Sequence, residues 1–169
     1  SGQVSPMDFN GMVRHYYLRD QAHMADIRVN LAHKDVRQQQ SHEIVLRLRN
    51  ELEVALKILH REIQSRGVRI KVEIGNEKVL ADATRLEQVL VNLVRNSIEA
   101  IQSVQKNTGK VMLKTQLLED GTIEVRVIDN GPGIDAGMIN NLFNPFQTSK
   151  TSGMGMGLSI SRSIIEAHN

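Results

Sequence analysis

Residues 68–104, VRIKVEIGNEKVLADATRLEQVLVNLVRNSIEAIQSV, decide the fold. Residues 68–74 alternate apolar and polar side chains, which predicts a half-buried strand, and a Gly-Asn turn separates them from a second short strand at 79–81. A helix then opens near Asp82 and runs to about Val104, because its apolar residues recur three and four positions apart. The predicted core face of this helix consists of Leu86, Val89, Leu90, Leu93, Val94, Ile98 and Ile101.

On the C-terminal side the pattern continues with strands at about 110–117 and 122–128, which we expect to form a hairpin. A short helix over 135–142, a loop over 143–152 and a last helix beginning near Gly157 follow. The order of helices and strands is not the strict alternation of a doubly wound fold. We therefore predict an α+β fold, a two-layer α/β sandwich with its helices on one face of the sheet.

The stretch before residue 68 contains no helix-breaking Pro or Gly from about Ala22 to Arg66. Its apolar residues keep helical spacing, and Gly67 stands where a helix C-terminal cap is usually found. We therefore expect one long helix over 22–66, whereas residues 1–20 show no clear period. The regularly spaced apolar residues are Val45, Leu48, Leu52, Leu56, Leu59 and Ile63.

Composition limits the function classes. A chain of 169 residues with 40% apolar content can bury the core of one compact domain. The sequence has no cysteine, which excludes disulfides and thiolate metal sites. With 3% aromatic residues and a net charge of +2, it offers little for stacking or charge-driven binding, so we expect no nucleic-acid partner. No apolar run approaches the roughly 18 residues of a membrane span and no signal peptide opens the sequence, so we expect a cytoplasmic location for this piece, with membrane attachment of the full-length protein as an alternative.

Three elements carry candidate chemistry, and the first is the pair Asn92 and Asn96. They stand four residues apart and therefore share one face of the helix. Either asparagine alone is more often a surface residue, but two beside an apolar stripe favour a site. A neutral amide oxygen suits Mg²⁺, which keeps several waters and takes few protein ligands. We assign Asn96 as the metal ligand.

The second element is VIDNGPGI, residues 127–134, which brings Asp129 to the end of an apolar strand. An unpaired carboxylate at the edge of a core is costly, so Asp129 needs a partner. A tight turn alone would explain the glycines around the proline. The alternative is an adenine site, in which Asp129 accepts a hydrogen bond from the exocyclic amine while Gly131 and Gly133 let the flat ring lie against backbone.

The third element is GMGMGL, residues 153–158, which runs directly into the last helix. Its glycines let backbone N–H groups face a phosphate at the positive end of that helix. The spacing matches neither the dinucleotide fingerprint nor the Walker loop, so the signal is weak by itself. Lys150, just before it, can reach a terminal phosphate, although a solvated surface lysine is an equally good interpretation.

Together these elements resemble a known set. The four matching segments are Asn92-x-x-x-Asn96, DNGPG at 129–133, FNPF at 143–146 and GMGMGL at 153–158. They are similar, in this order, to the N, G1, F and G2 boxes of the ATP-binding domain of two-component sensor histidine kinases, within the gyrase, Hsp90, histidine kinase and MutL superfamily. The resemblance covers about residues 47–168.

The resemblance implies the Bergerat ATP-binding fold and a histidine protein kinase that uses ATP and Mg²⁺. Such an enzyme transfers the γ-phosphate to a histidine for relay to a response regulator. By resemblance Asn96 holds magnesium, Asn92 and Lys150 are catalytic, and residues 143–152 form a lid. The nucleotide-binding residues implied are Asn92, Asn96, Asp129, Gly131, Gly133, Phe146, Lys150, Gly153, Gly155, Gly157 and Leu158.

The resemblance also implies a phosphoacceptor dimerisation domain, from its own or a partner chain, and a full-length homodimer. The long helix over 22–66 leaves no room for that domain's helical hairpin, so we divide the chain into two parts. Residues 1–46 form a helical segment, either a linker or a dimerisation remnant, and 47–169 form a C-terminally truncated ATP-binding domain. We expect His42 to be a solvated helix residue and not the phosphoacceptor.

Other functions remain open. A hydrolase of the gyrase or Hsp90 type, as the resemblance implies, carries a glutamate where this chain has Asn92, because a water must be deprotonated. An amide cannot act as that base, and the same difference disfavours a serine kinase. A nucleotide-binding module without phosphoryl transfer is the remaining alternative, since an isolated domain lacks its acceptor.

Overall fold

The computed structural model describes residues 25–31, 44–104, 108–135, 137–146 and 155–168. Within these ranges the chain forms two layers, a mixed sheet and the helices that cover one of its faces. None of the helices in this part of the chain is long and apolar enough to cross a membrane.

The main sheet has four strands in the order β1-β6-β5-β3. Its members are β1 (Ala25–Leu31), β3 (Val68–Glu73), β5 (Gly109–Leu117) and β6 (Ile123–Asp129). β6 pairs antiparallel with both β1 and β5, whereas β3 runs parallel to β5. A second sheet joins β2 (Ile44–Arg47) and β4 (Lys78–Ala81) antiparallel. The predicted hairpin of β5 and β6 is confirmed.

Four α-helices complete the described fold: α1 (Leu48–Ile58), α2 (His60–Ser65), α3 (Ala83–Ser103) and α4 (Gly157–Ala167). α3 begins where the sequence predicts, because the Asp82 Oδ1 atom accepts a 3.0 Å hydrogen bond from the Arg85 N–H and caps the helix. Gly67 follows α2 with φ of 62°, the left-handed conformation typical of a helix end.

The core lies between the sheet and the apolar face of α3, and all seven residues predicted for that face are buried. The strands contribute Val111, Leu113, Val125 and Val127. The opposite face of the sheet is polar: Lys71 and Lys114 both pair with Glu73, at 2.6 and 3.4 Å. These two ammonium groups hold the pKa of the Glu73 carboxyl below its ordinary value. The predicted two-layer sandwich with helices on one face is confirmed.

The single helix predicted over 22–66 is wrong at two places, because Ala25–Leu31 and Ile44–Arg47 are strands. Among the described residues of this segment, those from Leu48 onward form the helices α1 and α2. The absence of Pro and Gly permits a helix but does not require one, and apolar residues stand at alternate positions in ADIRVNL, residues 25–31. The expectation that His42 lies on that helix loses its support, and His42 itself lies outside the described residues.

The short helix predicted over 135–142 is also wrong. In the described part of this segment the structure has a 3₁₀ turn, Ile139–Asn141, in place of an α-helix. Just before it, the Asp135 Oδ1 atom accepts a 2.8 Å hydrogen bond from the Gly137 N–H. A local side chain to backbone bond of this kind competes with helical hydrogen bonding.

Candidate functional site

Asn92 connects two of the predicted motifs, which are 65 residues apart in the chain. Its Nδ2 atom donates to the Gly157 carbonyl oxygen at 2.8 Å and to the Ser161 hydroxyl oxygen at 3.2 Å. A β-carbon at residue 157 would lie only 3.1 Å from the Asn92 Oδ1 atom, so a glycine lets the start of α4 approach α3 closely. Both hydrogens of the Asn92 amide are thereby directed at α4, beside the predicted phosphate-binding glycines.

Asn96 lies one turn further along α3 and is half-buried. Within the described ranges, no group of three or more His, Cys, Asp or Glu residues could hold a metal ion. A metal at this position would therefore take its ligands from amide oxygens, water and the bound ligand. That donor set fits Mg²⁺, which often binds one or two protein groups together with substrate phosphates.

Asp129 ends β6 and is only 4% exposed. Its Oδ1 atom accepts a 2.8 Å hydrogen bond from the Gly131 N–H, which turns the chain back against the carboxylate. A β-carbon at residue 131 would lie 2.9 Å from that oxygen and 3.1 Å from the Ala100 carbonyl carbon. Gly131 therefore sits where no side chain fits, between the carboxylate and the backbone of α3.

The turn that follows Asp129 is anchored to the start of β5 by two hydrogen bonds of Asn130. The Asn130 side chain accepts from the Lys110 N–H at 2.8 Å and donates to the Thr108 carbonyl at 3.0 Å, which fixes the turn to the start of β5. Gly133 has φ of 81°, in the left-handed region that favours glycine. The glycines of DNGPG are thus required by close approach at one position and by backbone conformation at another.

A family model described as "Histidine kinase-, DNA gyrase B-, and HSP90-like ATPase" matches residues 81–169, just over half of the chain. The chain belongs to this family. It is 44% identical over 114 residues to the sensor protein FixL of Bradyrhizobium diazoefficiens, a match that covers 68% of this chain and 22% of FixL.

Solved structures of histidine kinases are also similar to this chain. The catalytic domain of the histidine kinase ThkA, in a nucleotide-free form, is 34% identical with a TM-score of 0.65, covering 75% of this chain and 81% of that domain. ThkA in complex with the response regulator protein TrrA is 30% identical with a TM-score of 0.62, covering 75% of this chain and 35% of ThkA. The chain is therefore a histidine kinase ATP-binding catalytic domain, and it spans less than a quarter of the length of FixL.

The rest of the predicted site of this kinase domain is only partly described. Lys150, Gly153 and residues 147–152 of the predicted lid lie outside the described residues. Gly155 has φ of 64°, consistent with a glycine requirement, and Leu158 packs against the core. Asn92, Gly157 and Leu158 are thus brought together at the start of α4.

Phe146, predicted to bind nucleotide, is 73% exposed and has φ of 64°. Phe143, three residues earlier, is held against α4, because the Arg162 guanidinium lies 5.6 Å from the centre of its ring. The described start of the lid is therefore attached to α4 through Phe143.

Two residues near the site were missed from the sequence. Ser161 is buried and accepts from Asn92, and Ala100 forms the wall behind Gly131. Ser161 stands four residues after Gly157 and so shares its helix face, a spacing that could have suggested it. Ala100 gave no such signal, because its role comes from contact with a distant turn.

Proposed function

We propose that this kinase domain binds ATP with Mg²⁺ and passes the γ-phosphate to a histidine of a phosphoacceptor dimerisation domain. The bonds from Asn92 to Gly157 and Ser161 carry the proposal. They support one continuous site, because they hold α3, which carries Asn92 and Asn96, against the start of α4, which carries the last glycine of the motif. A helix N-terminus next to neutral amides suits a polyphosphate bound with a cation.

The adenine end of the proposed site is Asp129, whose carboxylate accepts from the exocyclic amine while Gly131 and Gly133 line the ring. At the other end Gly153, Gly155 and Gly157 face the phosphates, and Asn96 is the magnesium ligand. Mg²⁺, when bound, neutralises phosphate charge. Lys150 is the proposed contact to the terminal phosphate, and Phe146 and Leu158 are further nucleotide contacts.

Phosphoryl transfer needs little covalent chemistry from the protein, which acts by positioning groups and neutralising charge. The chemistry of the Asn92 side chain favours transfer of the phosphoryl group to a histidine over hydrolysis of ATP. Its amide donates both described hydrogen bonds to α4 and has no basic group with which to deprotonate water.

The family supports a proposal for the partners and the location of this domain. The complex of ThkA with TrrA supports a response regulator as the protein that receives the phosphoryl group. We propose that the acceptor domain comes from the same chain or a partner chain, that the full-length protein is a homodimer, and that this domain works in the cytoplasm.

The first experiment is a thermal shift with AMP-PNP, with and without Mg²⁺, on the wild-type chain and on Asp129→Asn. Ligand at 100 times its Kd adds about 2.7 kcal/mol, a rise in Tm of roughly 5–11 °C for a chain of this size. Asp129→Asn should lose most of this rise, because an amide N–H₂ would face the adenine amine. Asp120→Asn, the same change in the β5–β6 turn, should keep it.

A second experiment separates the kinase from a hydrolase or a simple binding module. The chain is incubated with γ-labelled ATP, Mg²⁺ and a phosphoacceptor domain supplied separately, and acid-labile phosphate on that domain is measured. Transfer supports the proposal. Free phosphate without transfer would favour the hydrolase, and intact ATP after binding would favour the module.

A further inference from the structure

α4 is held against α3 at both of its ends. At its start, Gly157 and Ser161 accept from Asn92. At its other end, the Nε2 atom of His168 lies 3.0 Å from the backbone nitrogen of Asp82, the residue that caps α3. His168 is only 4% exposed, so this contact is shielded from water.

The hydrogen bonds of His168 determine which nitrogen of its imidazole carries the proton. The Nδ1 atom lies 2.7 Å from the Ile164 carbonyl oxygen, which can only accept, so Nδ1 carries the proton. Nε2 is then the acceptor for the Asp82 N–H. The neutral ring thus links the last turn of α4 to the first turn of α3, where both partners are backbone groups.

The two contacts set how α4 is placed along α3. Asn92 lies ten residues after Asp82, and His168 lies eleven residues after Gly157. At 1.5 Å per residue these separations are about 15 and 16.5 Å, so the two antiparallel helices are held together over nearly the same length. Sliding α4 along α3 would therefore break the bonds at both ends.

We infer that His168 is a positioning residue for the nucleotide phosphates, an inference that rests on the proposed function. It acts through α4: the helix whose end it fixes begins with Gly157, part of the proposed phosphate-binding motif. The proposed adenine pocket consists of Asp129, Gly131 and Gly133, with Ala100 behind Gly131, and none of these residues lies on α4. Loss of the His168 contact therefore weakens phosphate binding and leaves adenine binding in place.

The experiment compares AMP-PNP with Mg²⁺ against adenosine, each titrated into the full chain and followed by NMR. His168→Ala should bind AMP-PNP about tenfold more weakly, equivalent to about 1.4 kcal/mol, while its adenosine affinity stays within about twofold of wild type. His168→Gln, whose amide oxygen can again accept from Asp82, should recover most of the loss. Leu59→Ala, a buried truncation on α1–α2, controls for general loss of stability.

A second pair of variants removes the donor and leaves His168 intact. Asp82 has φ of −78°, which proline can adopt, so Asp82→Pro deletes the N–H without straining the backbone at that residue. Asp82→Ala loses the side-chain cap but keeps the N–H. The inference requires that Asp82→Pro lowers the ratio of AMP-PNP to adenosine affinity more than Asp82→Ala does.

An unchanged ratio in both His168→Ala and Asp82→Pro would overturn the inference, as would an equal change in Leu59→Ala. If His168→Ala does not fold, the two Asp82 variants decide. A wild-type chain that binds neither AMP-PNP nor adenosine would instead refute the proposed function, and the inference with it.

Discussion

Replacing Gly131 by alanine tests the adenine end of the site with a single methyl group. The added β-carbon would lie 2.9 Å from the Asp129 Oδ1 atom and 3.1 Å from the Ala100 carbonyl carbon. The second atom belongs to the backbone of α3, which cannot move without disturbing the core, so the carboxylate and the turn must shift. Gly131 does not have a left-handed φ, and the whole cost is therefore steric.

Overpacking of this kind costs about 1–3 kcal/mol, or roughly 2–12 °C in Tm. The same displacement moves Asp129 away from the position in which it would meet the adenine amine. A hydrogen bond to a charged group is worth about 1.5–3 kcal/mol, so nucleotide affinity should fall by roughly 10- to 150-fold. Isothermal titration with ADP measures the affinity, and thermal unfolding measures the stability.

Gly121→Ala is the matched control. Gly121 has φ of 79° in the β5–β6 turn, and no atom lies within 4 Å of the position of an added β-carbon. Its replacement costs about 1–2 kcal/mol through backbone conformation alone and should leave ADP affinity unchanged. Gly131→Ala with reduced Tm and wild-type ADP affinity would refute the assignment of this turn to adenine.

Two further predictions concern stability. Burial and a hydrogen bond with Glu87 raise the pKa of the Glu51 carboxyl above its ordinary value, so its charge penalises the folded state at neutral pH. Glu51→Gln should therefore stabilise the chain at pH 7 in urea unfolding, and the gain should disappear as the pH falls below the ordinary glutamate pKa. Glu53→Gln, the same change at an exposed position of α1, should alter stability at pH 7 by less than about 0.5 kcal/mol. Leu113→Ala should cost about 2–5 kcal/mol because Leu113 is 0% exposed, and Leu117→Ala, at 55% exposed, should change stability by less than about 0.5 kcal/mol.

The elements that could be predicted are those whose signal is local. α3 combines a 3.6-residue period with a capping aspartate, and both are readable within 25 residues of sequence. The β5–β6 hairpin is equally local, since its strands alternate around one tight turn. Gly67 marks a helix end for a reason that depends only on backbone geometry, since its φ of 62° is left-handed.

β1 could not be predicted in the same way. Its strand conformation is satisfied by β6, almost 100 residues away, where Ala25 pairs with Asp129 and Leu31 with Ile123. The segment lacks helix breakers, so propensity alone left it inside a long helix, and tertiary pairing overrides that weak preference. The alternating apolar positions were present in ADIRVNL but were outweighed by the longer helical pattern beside them.

The functional site shows the same difference between local sequence signals and tertiary contacts. The sequence identified Asn92 and the glycine motif as separate signals, but the bond between them exists only because α3 and α4 pack antiparallel. That hydrogen bond also shows that packing and water activation need different side chains at residue 92. A carboxylate there could deprotonate water, yet it only accepts hydrogen bonds and would face the Gly157 carbonyl oxygen at about the 2.8 Å now spanned by an N–H donor.

A carboxylate of the same length, as in Asn92→Asp, would therefore bring a base and lose the N–H donors that hold α4. The Ser161 hydroxyl could turn and donate to that carboxylate, but the Gly157 carbonyl oxygen only accepts, so the start of α4 would be repelled from α3 unless this oxygen found another donor. Converting this domain into a hydrolase thus needs compensating changes on α4 as well as the base itself. In this chain packing alone favours an amide at residue 92, whatever its part in catalysis. Its two N–H groups hold the helix at whose start the phosphates are proposed to lie.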